Sequence, residues 1–251
     1  MVGFDLDLTL LDARAGIRAT FAALSAETGV AVDGDAVVGR LGPPLETELA
    51  YWFPAAQIPA QADRYRQLYA VHAIPASAPM PGAARAVAAV RRHGGRVVVV
   101  TAKNTALAQA SLAVVGLAVD VVEGARFADA KGAALLEQHV DIFVGDHVGD
   151  MIGARAGGAH AVGLTTGPCS ADELRAAGAD TVLTHLDEFP AWGPGAAPRR
   201  GGPPAPPGGA VGRRPAWRRP GTALRSERCW WPTRSGAERI SPVRWGPRSP
   251  G

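Results

Sequence analysis

The sequence predicts an α/β fold, with a parallel sheet core carrying helices on both faces, an inserted block of small helices and a disordered C-terminal tail. Three observations predict it. Continuous β-branched runs alternate with segments of helical period from residue 79 to residue 189, a purely helical stretch separates them from one earlier apolar run, and the composition changes abruptly after residue 192. Strands that alternate with helices pair in parallel and are covered on both faces.

In chain order, the first run ends in "FDLDLTLLD", a short strand entering a turn, with Asp5 and Asp7 two positions apart and Thr9 two further on. Residues 13–79 follow with apolar side chains at helical spacing in "GIRATFAALSAETG", short helices in "DGDAVVGRLG" and "PPLETELAYWF", and another helix in "PAQADRYRQLYAVH". "GAARAVAAVRRHGG" is a helix with a glycine stop. It leads into "RVVVVT", a run suited to a strand buried on both faces. Asn104 caps the helix of "NTALAQASLAVVG"; "VDVVEG", "DIFVGD", "HAVGLT" and "DTVLT" are strands; "KGAALLEQH" and "GDMIGARAGG" are helices. Ser170 and Glu173 have capping-box spacing for the helix of "ADELRAAG".

The charge divides the chain in two. Residues 193–251 hold 12 arginines against 2 glutamates, a net +10, which leaves −7 on residues 1–192 of the +3 total. This tail also holds 12 of the 21 prolines and 11 of the 31 glycines, a composition that buries too little apolar surface to order itself. Its arginines and tryptophans are the only groups that suggest contact with nucleic acid, and no folded motif supports that contact. No apolar stretch reaches the roughly 20 residues of a membrane span, and no secretory segment is visible. With only Cys169 and Cys229, a disulfide framework is not expected, and the cytoplasm is the expected location.

Ligands of parallel α/β sheets bind at the carboxyl ends of the strands. Asp5 and Asp7 end the first run, Thr101 ends "RVVVVT", and Asp146 ends "DIFVGD" with Asp150 four residues on. Four carboxylates at one sheet edge cannot all ionise without compensation. Oxygen donors without a cysteine or histidine cluster favour a hard divalent ion, Mg²⁺, over zinc. His147, within "GDHVGD", is read as a packing or solvated residue. Lysine usage singles out two more positions, because 24 arginines accompany only Lys103 and Lys131, and a compact ammonium is not interchangeable with a guanidinium in a crowded pocket.

Together, "DLDLT", a strand ending in "VVT", an isolated lysine opening a helix and "GDHVGD" after a strand resemble the four motifs of the haloacid dehalogenase superfamily, in its phosphoglycolate phosphatase-like branch. The resemblance covers about residues 1–192. It implies a Rossmann-like core of residues 1–12 and 80–192, a helical cap of residues 13–79, and residues 193–251 outside both. Leu8 departs from the pattern, since many relatives carry glycine there.

The same resemblance implies roles. Asp5 is the nucleophile that forms an aspartyl-phosphate, and Asp7 the general acid and then base. Thr9, Thr101 and Lys131 contact the substrate's phosphoryl group. Asp5, Asp7, Asp146 and Asp150 form the Mg²⁺ site, Asp7 through its backbone carbonyl. The cap's "LGPPLE" loop would select the leaving group, with Arg64, Tyr65 and Arg66 as candidate anion contacts. The activity implied is hydrolysis of a small organic phosphate monoester, phosphoglycolate-like or a sugar or nucleotide phosphate. A β-phosphoglucomutase-type phosphomutase, a pyrophosphatase, and a non-catalytic binder with a nucleic-acid-contacting tail are the alternatives.

Overall fold

In the computed structural model, residues 1–192 are described; the expected disordered tail and Cys229 lie outside them. The chain opens with strand β1 (Val2–Phe4), turns through residues 5–10 and reaches a short strand β2 (Leu11–Asp12). Helices α1 (Arg14–Thr28), α2 (Gly34–Val38), α3 (Leu45–Leu49) and α4 (Ile58–His72) follow, before β3 (Ala78–Pro79) pairs antiparallel with β2. The helical block therefore leaves and rejoins the core through one two-stranded stem. Helix α1 buries Ile17, Phe21 and Leu24 on one face, the period its sequence carries, and Phe21 packs on Tyr65 of α4 with ring centroids 4.6 Å apart.

The alternation then runs as α5 (Ala83–Arg92), β4 (Val97–Val100), α6 (Thr105–Val114), β5 (Val121–Glu123), α7 (Asp129–Glu137), β6 (Ile142–Gly145), α8 (Val148–Ala156), β7 (His160–Leu164), α9 (Ala171–Ala176), β8 (Thr181–Leu183) and α10 (Phe189–Trp192). Six strands form a parallel sheet in the order β5-β4-β1-β6-β7-β8, so β1 lies at its centre. Val97 to Val100 are each fully buried because their side chains alternate between two covered faces. Val97 and Val99 face the layer of α5, α6 and α10; Val98 and Val100 face that of α7, α8 and α9.

Local signals form as the sequence dictates. The Asn104 side chain accepts from the backbone N–H groups of Ala106 and Leu107, and Ser170 and Glu173 close their capping box. Cys169 is buried. Among the described residues, no helix is long and apolar enough to cross a membrane.

Candidate active site

The carboxyl edge of the sheet gathers the singled-out residues. Asp5 directly follows β1, and its backbone N–H donates to the Val144 carbonyl of β6 at 2.8 Å, which fixes where the side chain leaves the sheet. The Leu6 carbonyl accepts from the N–H groups of Thr9, Leu10 and Leu11, a tight turn that carries Asp7 back over the edge. Leu8, inside this turn, has φ 59°. The departure from glycine is therefore a matter of backbone as well as packing, since a left-handed leucine is strained and its burial must offset that strain. The Leu8 carbonyl is held by the Thr166 hydroxyl at 2.7 Å.

Asp5, Asp146 and Asp150 bring carboxylate oxygens within 4.8 Å of one another, and all three are buried. One ammonium, that of Lys131, lies among them, 2.7 Å from Asp5 Oδ1 and hydrogen-bonded to Asp150. Three carboxylates against one buried cation leave a negative excess. Burial is the main cause that pushes the Asp5 and Asp146 pKa values above the usual carboxylate range, and repulsion from the neighbouring carboxylates adds to it. Lys131 is itself held protonated: burial opposes its charge, but Asp150 and Asp5 outweigh burial and raise its pKa. A cavity of hard oxygen donors with unbalanced negative charge fits a divalent cation such as Mg²⁺. Gly167 belongs to the same construction, because a Cβ there would lie 1.9 Å from Asp146 Oδ2, so only glycine lets that backbone approach the carboxylate.

The other expected residues fall into two groups. Asp7, Thr101, Asp5 and Asp146 line one cavity of ≈ 370 Å³ between the sheet edge and the helical block. Thr9 stands behind it, fully buried, its hydroxyl donating to Asp146 Oδ1 at 2.8 Å. Lys103 is drawn into the site, with a side chain only 8% exposed. Its ammonium donates to Asp7 Oδ1 at 2.6 Å and to the Tyr69 hydroxyl of α4. It therefore ties the first turn of the core to the helical block.

His147 is neither solvated nor among the clustered carboxylates. Its Nδ1 accepts from the Gly149 N–H as the N-cap of α8, and burial pushes its pKa down to about 4. Gly42, at φ 134°, touches the same ring: a Cβ there would lie 2.5 Å from His147 Cδ2. Of the candidate anion contacts, Arg64 is on the outer surface paired with Glu27, and Tyr65 is buried against Phe21. Arg66 reaches the cavity already paired with Glu46 and Asp63. Sequence reasoning missed Tyr69; its only signal was a second tyrosine one helical turn after Tyr65.

A parallel α/β core with a carboxylate cluster at its carboxyl edge, roofed by inserted helices, places an acidic candidate site where such sheets bind ligands. The chain belongs to the haloacid dehalogenase-like hydrolase family, whose model matches residues 2–163. It is 28% identical over 218 residues to a phosphoglycolate phosphatase of Caulobacter vibrioides, a match covering 75% of this chain and 88% of that protein. A haloacid dehalogenase-like family hydrolase from Streptococcus pneumoniae superposes with a TM-score of 0.68 at 27% identity, covering 76% of this chain and 96% of the other. A predicted phosphatase from Clostridium acetobutylicum superposes equally, with a TM-score of 0.68 at 26% identity over 76% of this chain and 95% of its own. Family and relatives make this chain an enzyme of the phosphatase kind.

Proposed function

We propose that the chain is a Mg²⁺-dependent phosphatase that hydrolyses a small organic phosphate monoester through an aspartyl-phosphate on Asp5, with residues 13–79 acting as its cap. One observation carries the reading. Asp5 opens onto the cavity with one carboxylate oxygen held by the buried Lys131 ammonium, while Asp7 and Thr101 reach the same cavity from separate loops. Lys131 engages Asp5 Oδ1 and leaves Oδ2 as the oxygen to attack phosphorus.

As the ester P–O bond breaks, Asp7 gives its proton to the leaving alkoxide. It then takes a proton from the water that attacks the aspartyl-phosphate, and cleavage of that P–O bond restores Asp5 and releases phosphate. Thr101 donates its hydroxyl to a phosphoryl oxygen. Thr9 acts through Asp146, which its hydroxyl orients, instead of touching substrate. Asp5, Asp146 and the Asp7 backbone carbonyl would hold Mg²⁺, supported by Asp150; the bound ion offsets repulsion between the Asp5 carboxylate and a phosphate dianion.

Phosphate-release assays across small phosphate esters test the reading. Activity is expected to vanish in chelator and return with Mg²⁺; full activity in chelator would rule the metal out. Mg²⁺ is also expected to raise the thermal midpoint, and the rise shrinks as pH falls, because Asp5 and Asp146 take up protons at higher pH than free carboxylates do.

Lys103 supplies a further prediction. Its charged hydrogen bond to Asp7 is worth about 1.5–3 kcal/mol, so Lys103→Met is expected to lower kcat by roughly tenfold or more through misplacing Asp7. Tyr69→Phe removes only the link to α4 and should cost a few-fold. A Lys103→Met enzyme with wild-type kcat and pH profile would show that Asp7 needs no such partner.

A further inference from the structure

The cavity above Asp5 is walled mainly by apolar side chains, among them Ile17, Phe21, Val37, Leu41, Leu45 and Tyr65. Among the described residues, three lysine or arginine side chains also reach it, and each is already matched. Arg40 makes a two-pronged ion pair with Glu48 at 2.6 and 3.1 Å and lies 4.6 Å over the ring of Tyr51; Glu48 also accepts from Trp52 Nε1 at 2.8 Å. Arg66 is held by Glu46 and Asp63, and Lys103 by Asp7 and Tyr69.

Building on the phosphatase reading, we propose that the leaving group this cavity selects is an uncharged hydrophobic alcohol, aromatic or branched, and not a small carboxylate such as glycolate. A carboxylate-bearing leaving group would meet Asp7, Glu46 and Glu48 with no uncommitted lysine or arginine among the described residues of the wall. Recruiting Arg40 would strand Glu48, half-buried beneath Trp52, and a charge left unpaired after losing its partner is costly. An apolar group meets no such obstacle, and each methylene it buries strengthens binding by about fourfold. The cavity volume of ≈ 370 Å³ leaves room beyond the phosphoryl group for a ring-sized substituent.

The test uses the full chain with Mg²⁺ and three esters that share a primary alkoxide leaving group: ethyl phosphate, benzyl phosphate and 2-phosphoglycolate, with p-nitrophenyl phosphate as an activated control. Benzyl phosphate is expected to show kcat/KM at least tenfold above both of the others. Leu41→Ala and Leu45→Ala, which trim half-buried wall residues, are each expected to reduce the benzyl-to-ethyl ratio several-fold. Equal or better hydrolysis of 2-phosphoglycolate, or a benzyl-to-ethyl ratio unmoved in both variants, would overturn the inference and leave the phosphatase reading standing. Silence on all four compounds would overturn that reading and the inference with it.

Discussion

Asp5→Asn is expected to lower phosphate release by about a thousandfold or more with the fold retained, because an amide oxygen is no competent nucleophile toward phosphorus. The substitution is nearly isosteric, and the Asp5 backbone stays tied to Val144. Circular dichroism and thermal midpoint should therefore stay close to wild type, with a small gain in stability in the absence of metal as one buried negative charge is removed. Asp7→Asn separates the two half-reactions. The aspartyl-phosphate should form slowly from an activated ester such as p-nitrophenyl phosphate and then persist, giving a burst of one equivalent of nitrophenol without turnover. Folded Asp5→Asn protein releasing phosphate at a near wild-type rate would remove Asp5 from the mechanism.

Lys131→Met is expected to be the most damaging change to stability. The lysine is 2% exposed, and its loss leaves Asp5, Asp146 and Asp150 buried with no cation beside them among the described residues, a cost of about 3–5 kcal/mol by the measure of broken buried pairs. For a chain of this size that is a fall of roughly 10 °C in thermal midpoint. The deficit depends on pH in a fixed direction. A carboxylate whose folded pKa is raised contributes stability that is present below its unfolded value near 3.8 and is lost as pH rises through the folded pKa. Removing Lys131 raises those folded values further, so the variant should lie nearest wild type in acid and furthest from it at neutral pH. Midpoints measured in chelator from acid to neutral pH check this, and a deficit independent of pH would show that the loss is one of packing. Lys131→Arg should not rescue activity, because a Cβ on Gly153 would already lie 2.8 Å from Lys131 Cβ and a planar guanidinium needs more room than an ammonium.

The sheet was legible because a strand buried on both faces must be apolar throughout, as Val97 to Val100 are, whereas the surrounding helices show period and caps. The carboxylates were legible for a related reason: a charged residue that ends such a run stands at the ligand-binding edge. What could not be read were contacts that depend on how distant turns meet. Thr9 finds Asp146 across 137 positions, and Lys103 finds Asp7 across 96, so no local pattern marks either pair. The strained φ of Leu8 was hidden too, because a leucine in an apolar run looks like ordinary core. His147 illustrates the remaining gap: its burial is fixed by Gly42 and Phe127, which approach from elsewhere in the chain.

The central place of β1 has a consequence for biosynthesis. Val2 pairs with Val97 on one side and Ile142 on the other, so β1 is synthesised before either of its neighbours and cannot have both until the chain has reached residue 142. The helices of residues 14–72 pack mainly on one another, α1 most extensively on α4, and can condense in the meantime. The roof is thus ready before the floor exists. A nascent chain arrested before residue 142 lacks β6 and Asp146, so it cannot assemble the carboxylate cluster however well its helices have folded.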